Sequence, residues 1–142
     1  MNVVAICNRV YRQLGNAHNE CVYQKALIAE LWNHGAQSLE FEKHVPVFYT
    51  DIRNVKHTVG TERVDILLRY TLEKVPRTCV MELKATTSPI RQAVEVQQLK
   101  KYHYALTELG ISCDDFYIVN FSQGMNKTEV DYVYFDRKTI EE

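Results

Sequence analysis

The sequence has few of the residues that interrupt or cross-link a chain. It contains three prolines, five glycines and four cysteines in 142 residues. The prolines and glycines fall singly, with no linker, repeat or low-complexity tract, so we expect one domain over residues 1–142. No CxxC pair is present, which argues against a zinc or iron–sulfur site. We expect the cysteines to be small buried side chains; they are Cys7, Cys21, Cys79 and Cys113.

Neither sign of charge dominates, because 17 Lys and Arg residues face 18 Asp and Glu residues for a formal net charge of -1. Proteins that bind long nucleic acids through the backbone are usually basic. We therefore expect at most a small, local positively charged surface for nucleic acid. No apolar run approaches the ~18 residues of a membrane span. The amino terminus has no basic region of the kind that begins a signal peptide. We therefore expect an intracellular protein, cytoplasmic or nuclear, with no membrane partner.

Hydrophobic spacing predicts the order of helices and strands. Two helices come first, each followed by a glycine, and a third begins at Ser88-Pro89. Alternating or continuous apolar runs predict five strands, and Pro46 suggests an edge or a bulge in the first. Polar residues 51–60 predict a turn, and residues 72–78 a hairpin connection. The helices are 2–14, 20–34 and 88–109; the strands are 39–49, 63–68, 79–85, 116–121 and 130–135. This order predicts an α/β fold with a mixed sheet flanked by helices.

Charged residues interrupt two strands that are otherwise apolar. Asp65 lies in one, and Glu82 and Lys84 lie in the next, two residues apart and so on the same face. Buried charges are costly unless they are paired or bind a metal. Carboxylates from adjacent strands could hold Mg²⁺ or Mn²⁺, which would polarise a phosphoryl oxygen and help to activate water. On spacing alone, an ion pair between Lys84 and a carboxylate is an equal alternative.

Three further residues are candidates for the same site. Gln98 and Tyr102 are four apart in the third helix and share one face, where they could contact Lys84, a phosphate or a metal-bound water. A polar shoulder on an amphipathic helix explains that pair equally well. Glu20 opens the second helix, where the helix dipole alone favours a carboxylate. It could also reach the site as an additional metal ligand.

Taken in order, these segments resemble the PD-(D/E)XK nuclease superfamily, and within it the small proteins called GxxExxY. The resemblance runs from about Val4 to Gly124 and rests on five motifs in the family's order. They are Leu14-Gly15 with Glu20-Cys21-Val22-Tyr23, Arg63-Val64-Asp65-Ile66-Leu67, Glu82-Leu83-Lys84-Ala85, Gln98-Leu99-Lys100-Lys101-Tyr102, and Asn120-Phe121. Two positions depart from the pattern: Ala17 replaces the family's glycine, and Val64 replaces a proline that the superfamily often lacks.

The resemblance implies a restriction-endonuclease-like αβββαβ core and a Mg²⁺-dependent phosphodiesterase site, with Mn²⁺ able to substitute. Asp65, Glu82 and Glu20 would be metal ligands, and Lys84 would activate water or stabilise charge. Gln98 and Tyr102 would support the site. The leading hypothesis is a DNA-hydrolysing nuclease, an endonuclease and a possible homodimer, with RNA left open as the alternative to DNA. A non-catalytic nucleic-acid-binding or assembly module on the same fold is the alternative, and a structural interaction protein with ion-paired carboxylates is a third.

Overall fold

The computed structural model describes residues 1–124 and 126–142 of the chain. Nine elements follow one another in this part of the chain. They are α1 (Val3–Leu14), α2 (Glu20–Asn33), β1 (Ser38–Thr50), β2 (Lys56–Leu72), β3 (Val75–Lys84), α3 (Gln92–Glu108), β4 (Asp115–Asn120), β5 (Asp131–Asp136) and α4 (Arg137–Glu141). No helix among the described residues combines the length and the hydrophobicity that crossing a membrane requires.

The five strands form a single mixed sheet in the order β1-β2-β3-β4-β5. β3 and β4 are parallel, and every other neighbouring pair is antiparallel. Parallel neighbours need a crossover, and α3 supplies it. The predicted α/β fold with a mixed sheet flanked by helices is therefore confirmed.

Side chains that alternate along the strands divide the core between the two faces of the sheet. On one face, Met81 and Leu83 of β3 pack with α1 and α2 in a cluster that also holds Phe121. On the other face, Val80 packs with α3 and with Ile140 of α4. Successive strand residues point to opposite faces, so the almost continuously apolar segment 79–83 of β3 can serve both clusters. This burial fixes β3 and β4 at the centre of the molecule.

The hairpin of β1 and β2 is longer than the sequence predicted. Residues 51–60 were expected to form a turn, but β2 begins at Lys56, and only 51–55 turn the chain. The Asp51 carboxylate accepts the backbone N–H groups of Arg53 and Val55 and closes this turn. β1 is an edge strand, as Pro46 predicted, and its register shifts just after Val47.

Two other boundaries differ from the prediction. The connection between β2 and β3 is only Glu73 and Lys74, both with positive φ, as a tight two-residue hairpin turn requires. α3 starts at Gln92 rather than at Ser88, because the Asn120 side chain binds the Ser88 carbonyl oxygen and holds that segment as a loop. α4 was not predicted. Cys21 is exposed, so the expectation that all four thiols are buried was wrong for this one.

Candidate active site

Asp65 lies where β2 separates from β3. The pairing of β2 with β3 runs from Ile66 opposite Met81 to Leu72 opposite Val75, so it does not reach Asp65. The last residues of β3, 82–84, pair with β4. The backbone N–H of Leu83 donates instead to Oδ2 of Asp65, at 2.8 Å. Arg63 approaches the other carboxylate oxygen at 3.6 Å. Asp65 is buried, so the split between the strands both admits its carboxylate and fixes its position.

Glu82 lies on β3, and a residue of α3 holds its side chain. The Tyr102 hydroxyl donates to Oε2 of Glu82 at 2.7 Å. Burial, followed by the neighbouring Asp65 charge, raises the pKa of Glu82 to about 8, although Tyr102 and Lys84 act in the opposite direction. The two carboxyl groups are neighbours, and the interaction with Glu82 lowers the pKa of Asp65. They form the centre of the candidate site.

Burial also raises the pKa of Asp65, against the opposing effects of the Leu83 N–H and of Arg63. Two carboxyl groups in one partly desolvated place cannot both ionise without more positive charge nearby. The raised pKa values therefore indicate a deficit of positive charge at the Asp65–Glu82 pair.

Lys84 follows Glu82 on the same face of β3, as the spacing predicted. Its Nζ lies 3.3 Å from Oε2 of Glu95, a residue of α3. Glu82, Lys84, Glu95 and Gln98 line one open groove of about 690 Å³ along α3, which we call the site groove. The structure thus brings both sequence alternatives together, because Lys84 is ion-paired and also lies beside the carboxyl pair.

Glu20 occupies the first turn of α2, where the Asn19 side chain accepts the Val22 N–H and caps the helix. Burial and then the Asp65 charge raise the pKa of Glu20, while Arg63 and Lys84 lower it. Glu20 is thus near enough to interact electrostatically with the other candidates. No direct contact joins its carboxylate to theirs in the described chain.

Further residues position α2 against the site. The Gln24 amide, one turn after Glu20, donates to the Asp65 carbonyl oxygen at 3.2 Å in a buried hydrogen bond. Tyr23 donates its hydroxyl to the Gly15 carbonyl oxygen, and its ring stacks on Phe121 with centroids 4.4 Å apart. These contacts tie the loop before Glu20 to the carboxyl end of β4.

The structure brings the predicted site residues together to different degrees. Tyr102 is hydrogen-bonded to Glu82, Asp65 lies next to Glu82, Lys84 and Gln98 line the same groove, and Glu20 acts at longer range. Sequence reasoning missed Glu95 and Gln24. Glu95 precedes Gln98 by three positions and Tyr102 by seven, a spacing that places all three on one helix face and could have revealed it.

The donor set suits a hard divalent cation. Asp65 and Glu82 offer carboxylate oxygens, which Mg²⁺ prefers, and Mg²⁺ commonly binds one or two protein carboxylates together with water and substrate phosphates. A cation there would also supply the positive charge that the pair lacks. Across residues 1–124 and 126–142, no three His, Cys, Asp or Glu side chains are gathered closely enough to enclose an ion by themselves. The pair thus fits an open site rather than a closed cage.

Comparison with protein families gives one result for almost the whole chain. The model of the PD-(D/E)XK nuclease superfamily matches residues 1–133. No curated protein matches the sequence. The matched range includes every residue of the candidate site, from Glu20 to Tyr102.

Proposed function

The chain belongs to the PD-(D/E)XK nuclease superfamily, and from this membership we propose that it is a metal-dependent nuclease that hydrolyses DNA phosphodiester bonds. The observation that carries the proposal is the placement of the buried Asp65 and the half-buried Glu82 side by side, with Lys84 in the groove beside them. Nuclease-type function follows from the family; the metal and the DNA substrate belong to the proposal.

Asp65 and Glu82 would hold the metal, with Glu20 as an additional acidic ligand. When bound, Mg²⁺ supplies charge that stabilises the phosphoryl oxygens, and Mn²⁺ can replace it. The Leu83 N–H fixes the Asp65 carboxylate, and the Tyr102 hydroxyl fixes the Glu82 carboxylate, which lines the site groove. Such fixed hydrogen bonds avoid reorganisation during the reaction.

Lys84 would act on the phosphate or on the attacking water. Its ammonium group is held beside the carboxyl pair by Glu95, and Gln98 lines the groove next to it. Positive charge fixed at this place stabilises charge that develops on a phosphate in the transition state. Glu95 thus becomes a positioning residue for Lys84.

The test is cleavage of supercoiled plasmid, linear duplex and single-stranded DNA with Mg²⁺, with Mn²⁺ and with EDTA. We expect either metal to support cleavage and EDTA to stop it. Asp65→Ala, Glu82→Ala and Lys84→Ala should each abolish cleavage while the circular dichroism spectrum stays that of the wild type. Lys25→Ala and Glu129→Ala are matched controls, because both side chains are exposed on other surfaces. A wild-type protein that leaves every DNA form intact with both metals contradicts the proposal.

The second candidate is a non-catalytic nucleic-acid-binding or assembly module on the same fold. The Lys84–Glu95 ion pair favours it, because a lysine held in this way can be structural. Calorimetric titration with Mn²⁺ separates the candidates. Binding of one ion that Glu82→Ala eliminates supports the nuclease, whereas DNA binding without any metal uptake supports the module.

The proposal includes a homodimeric endonuclease with low sequence specificity. A domain of this size has little surface to spare for reading base edges, and cutting both strands of a duplex takes two sites. Size-exclusion chromatography with light scattering tests the assembly. A dimer is expected, and a strict monomer at micromolar concentration counts against it.

A further inference from the structure

A second groove lies between α3 and the outer part of the β1–β2 hairpin, residues 46–61, which we call the arm. Its volume is about 380 Å³, within the usual range of ligand sites. We call it the arm groove. Val47 and Phe48 form the wall on the arm, and Tyr104 and Ala105 form the wall on α3.

One face of α3 is directed at this groove. Lys101, Tyr104, Ala105 and Glu108 follow the spacing that places helix residues on a common face, and all four line the groove. Tyr104 is 55% exposed although it is aromatic. Residues of the site groove, such as Gln98 and Tyr102, lie on the adjacent face of the same helix.

The charges in the arm groove balance one another. Lys56 forms a salt bridge with Glu108 at 2.8 Å and also lies over the Phe48 ring, 4.5 Å from its centroid. Glu62 and Lys101 add one charge of each sign. The groove is therefore aromatic, apolar and neutral overall, which suits an uncharged planar group better than a phosphate.

Lys101 connects the two grooves. It lines the arm groove with Tyr104 and the site groove with Glu82 and Lys84. Lys101 is exposed, and within the described chain its ammonium forms no ion pair or hydrogen bond. The Lys101 ammonium thus lies between the arm groove, which can hold a planar ring, and the Asp65–Glu82 carboxyl pair.

We propose that the arm groove holds an unpaired base of a single-stranded DNA segment that continues from the site groove. The base stacks on Tyr104, and the phosphate next to it binds Lys101. Aromatic stacking beside a cation is how proteins hold single strands without reading their sequence. The inference rests on the proposed function, and it gives the substrate class as DNA with a single-stranded tail next to the cleaved bond.

Binding of fluorescent DNA in EDTA tests the proposal, because cleavage is then suppressed. The probes are a short duplex with blunt ends and the same duplex with a single-stranded thymidine tail. We expect the wild type to prefer the tailed duplex. Tyr104→Ala should weaken binding of the tailed duplex about 5- to 150-fold, the range that corresponds to loss of one stacked base, and leave the blunt duplex unaffected.

Three variants make the test specific. Tyr104→Phe keeps the stacking surface and should bind the tailed duplex as the wild type does. Tyr132→Ala removes another exposed tyrosine, on β5, and should change nothing. Lys101→Ala should weaken tailed-DNA binding and make it less sensitive to salt, because one phosphate contact is lost.

Equal affinity of the wild type for both probes overturns the proposal, as does a Tyr104→Ala variant that binds the tail normally. The failure of the nuclease proposal would look different. If the wild type cuts DNA but Tyr104→Ala binds the tail normally, the nuclease stands and the arm-groove inference falls. If Tyr104→Ala loses tail binding but the wild type cuts no DNA with any metal, the groove stands and the nuclease falls.

Discussion

Metal binding by this protein is predicted to depend on pH through Glu82. Burial and the Asp65 charge raise the pKa of Glu82 to about 8 in the metal-free protein. At pH 7 such a group is protonated in about nine molecules of ten. A metal ion needs the ionised carboxylate, so its binding at pH 7 should release about 0.9 proton. The apparent affinity should therefore rise about tenfold from pH 6 to pH 7 and level off above pH 8.

Calorimetric titration with Mn²⁺ in buffers of different ionisation enthalpy measures this proton release directly. Glu82→Gln should abolish it, because the amide has no proton to lose in this range. Tyr102→Phe should move the rise in affinity to higher pH, since the Tyr102 hydroxyl lowers the pKa of Glu82. Glu129→Gln, on an exposed surface, should leave the profile unchanged. Affinity that stays constant from pH 6 to pH 8, without proton release, would mean that Glu82 loses no proton when the metal binds.

Three further predictions concern stability and positioning. Asp115→Ala should lower the free energy of unfolding by about 3 kcal/mol, because it leaves Arg77 without its bidentate partner; thermal denaturation measures this. Burial raises the pKa of Asp115, but the hydrogen bonds from Arg77, Tyr134 and Tyr70 and the Arg77 charge together outweigh burial and leave the pKa lowered. The stability that Asp115 contributes should thus be present above its unfolded pKa and disappear as pH falls through the folded pKa, and a pH-independent difference between variant and wild type would be inconsistent with this. Phe121→Ala should lower the free energy of unfolding by about 3–5 kcal/mol, because the ring is fully buried against Tyr23; a loss below 1 kcal/mol on the same denaturation scale, about that of a surface change, would contradict the packing. Gln24→Ala should lower the rate of DNA cleavage while the protein stays folded at the assay temperature, because the amide positions Asp65. A cleavage rate that falls only in proportion to the unfolded fraction would mean a purely structural role.

The central part of the fold was predictable because burial leaves a clear pattern there. Residues 79–83 of β3 and 116–119 of β4 are apolar except for Glu82, because both faces of these strands are covered, and the helices show their own spacing. Charges inside such apolar runs stand out, which is why Asp65 on β2 and Glu82 and Lys84 on β3 could be proposed from the sequence as candidates for one site. Tyr102 followed from its distance along α3.

Other features left no such pattern in the sequence. The Glu73-Lys74 turn has positive φ without the glycine or asparagine that usually marks it. The outer part of β2, from Lys56, is exposed and lacks the alternation of a half-buried strand. α4 is five residues long, and its stability comes from the Asp136 cap and from burial of Ile140. The Lys84–Glu95 pair joins residues on separate elements, so it required the tertiary structure.

A crystal structure of the Mn²⁺-soaked protein, with anomalous diffraction to locate the ion, would show whether Asp65 and Glu82 hold a metal. One Mn²⁺ should bind oxygens of both Asp65 and Glu82 at roughly 2.0–2.3 Å, close to the distances that Mg²⁺ takes. Glu20 should turn toward the same ion, with Lys84 and Gln98 lining the groove beside it. An anomalous map with no peak at the Asp65–Glu82 pair, in crystals soaked with saturating Mn²⁺ above pH 8, would contradict a metal site at this pair.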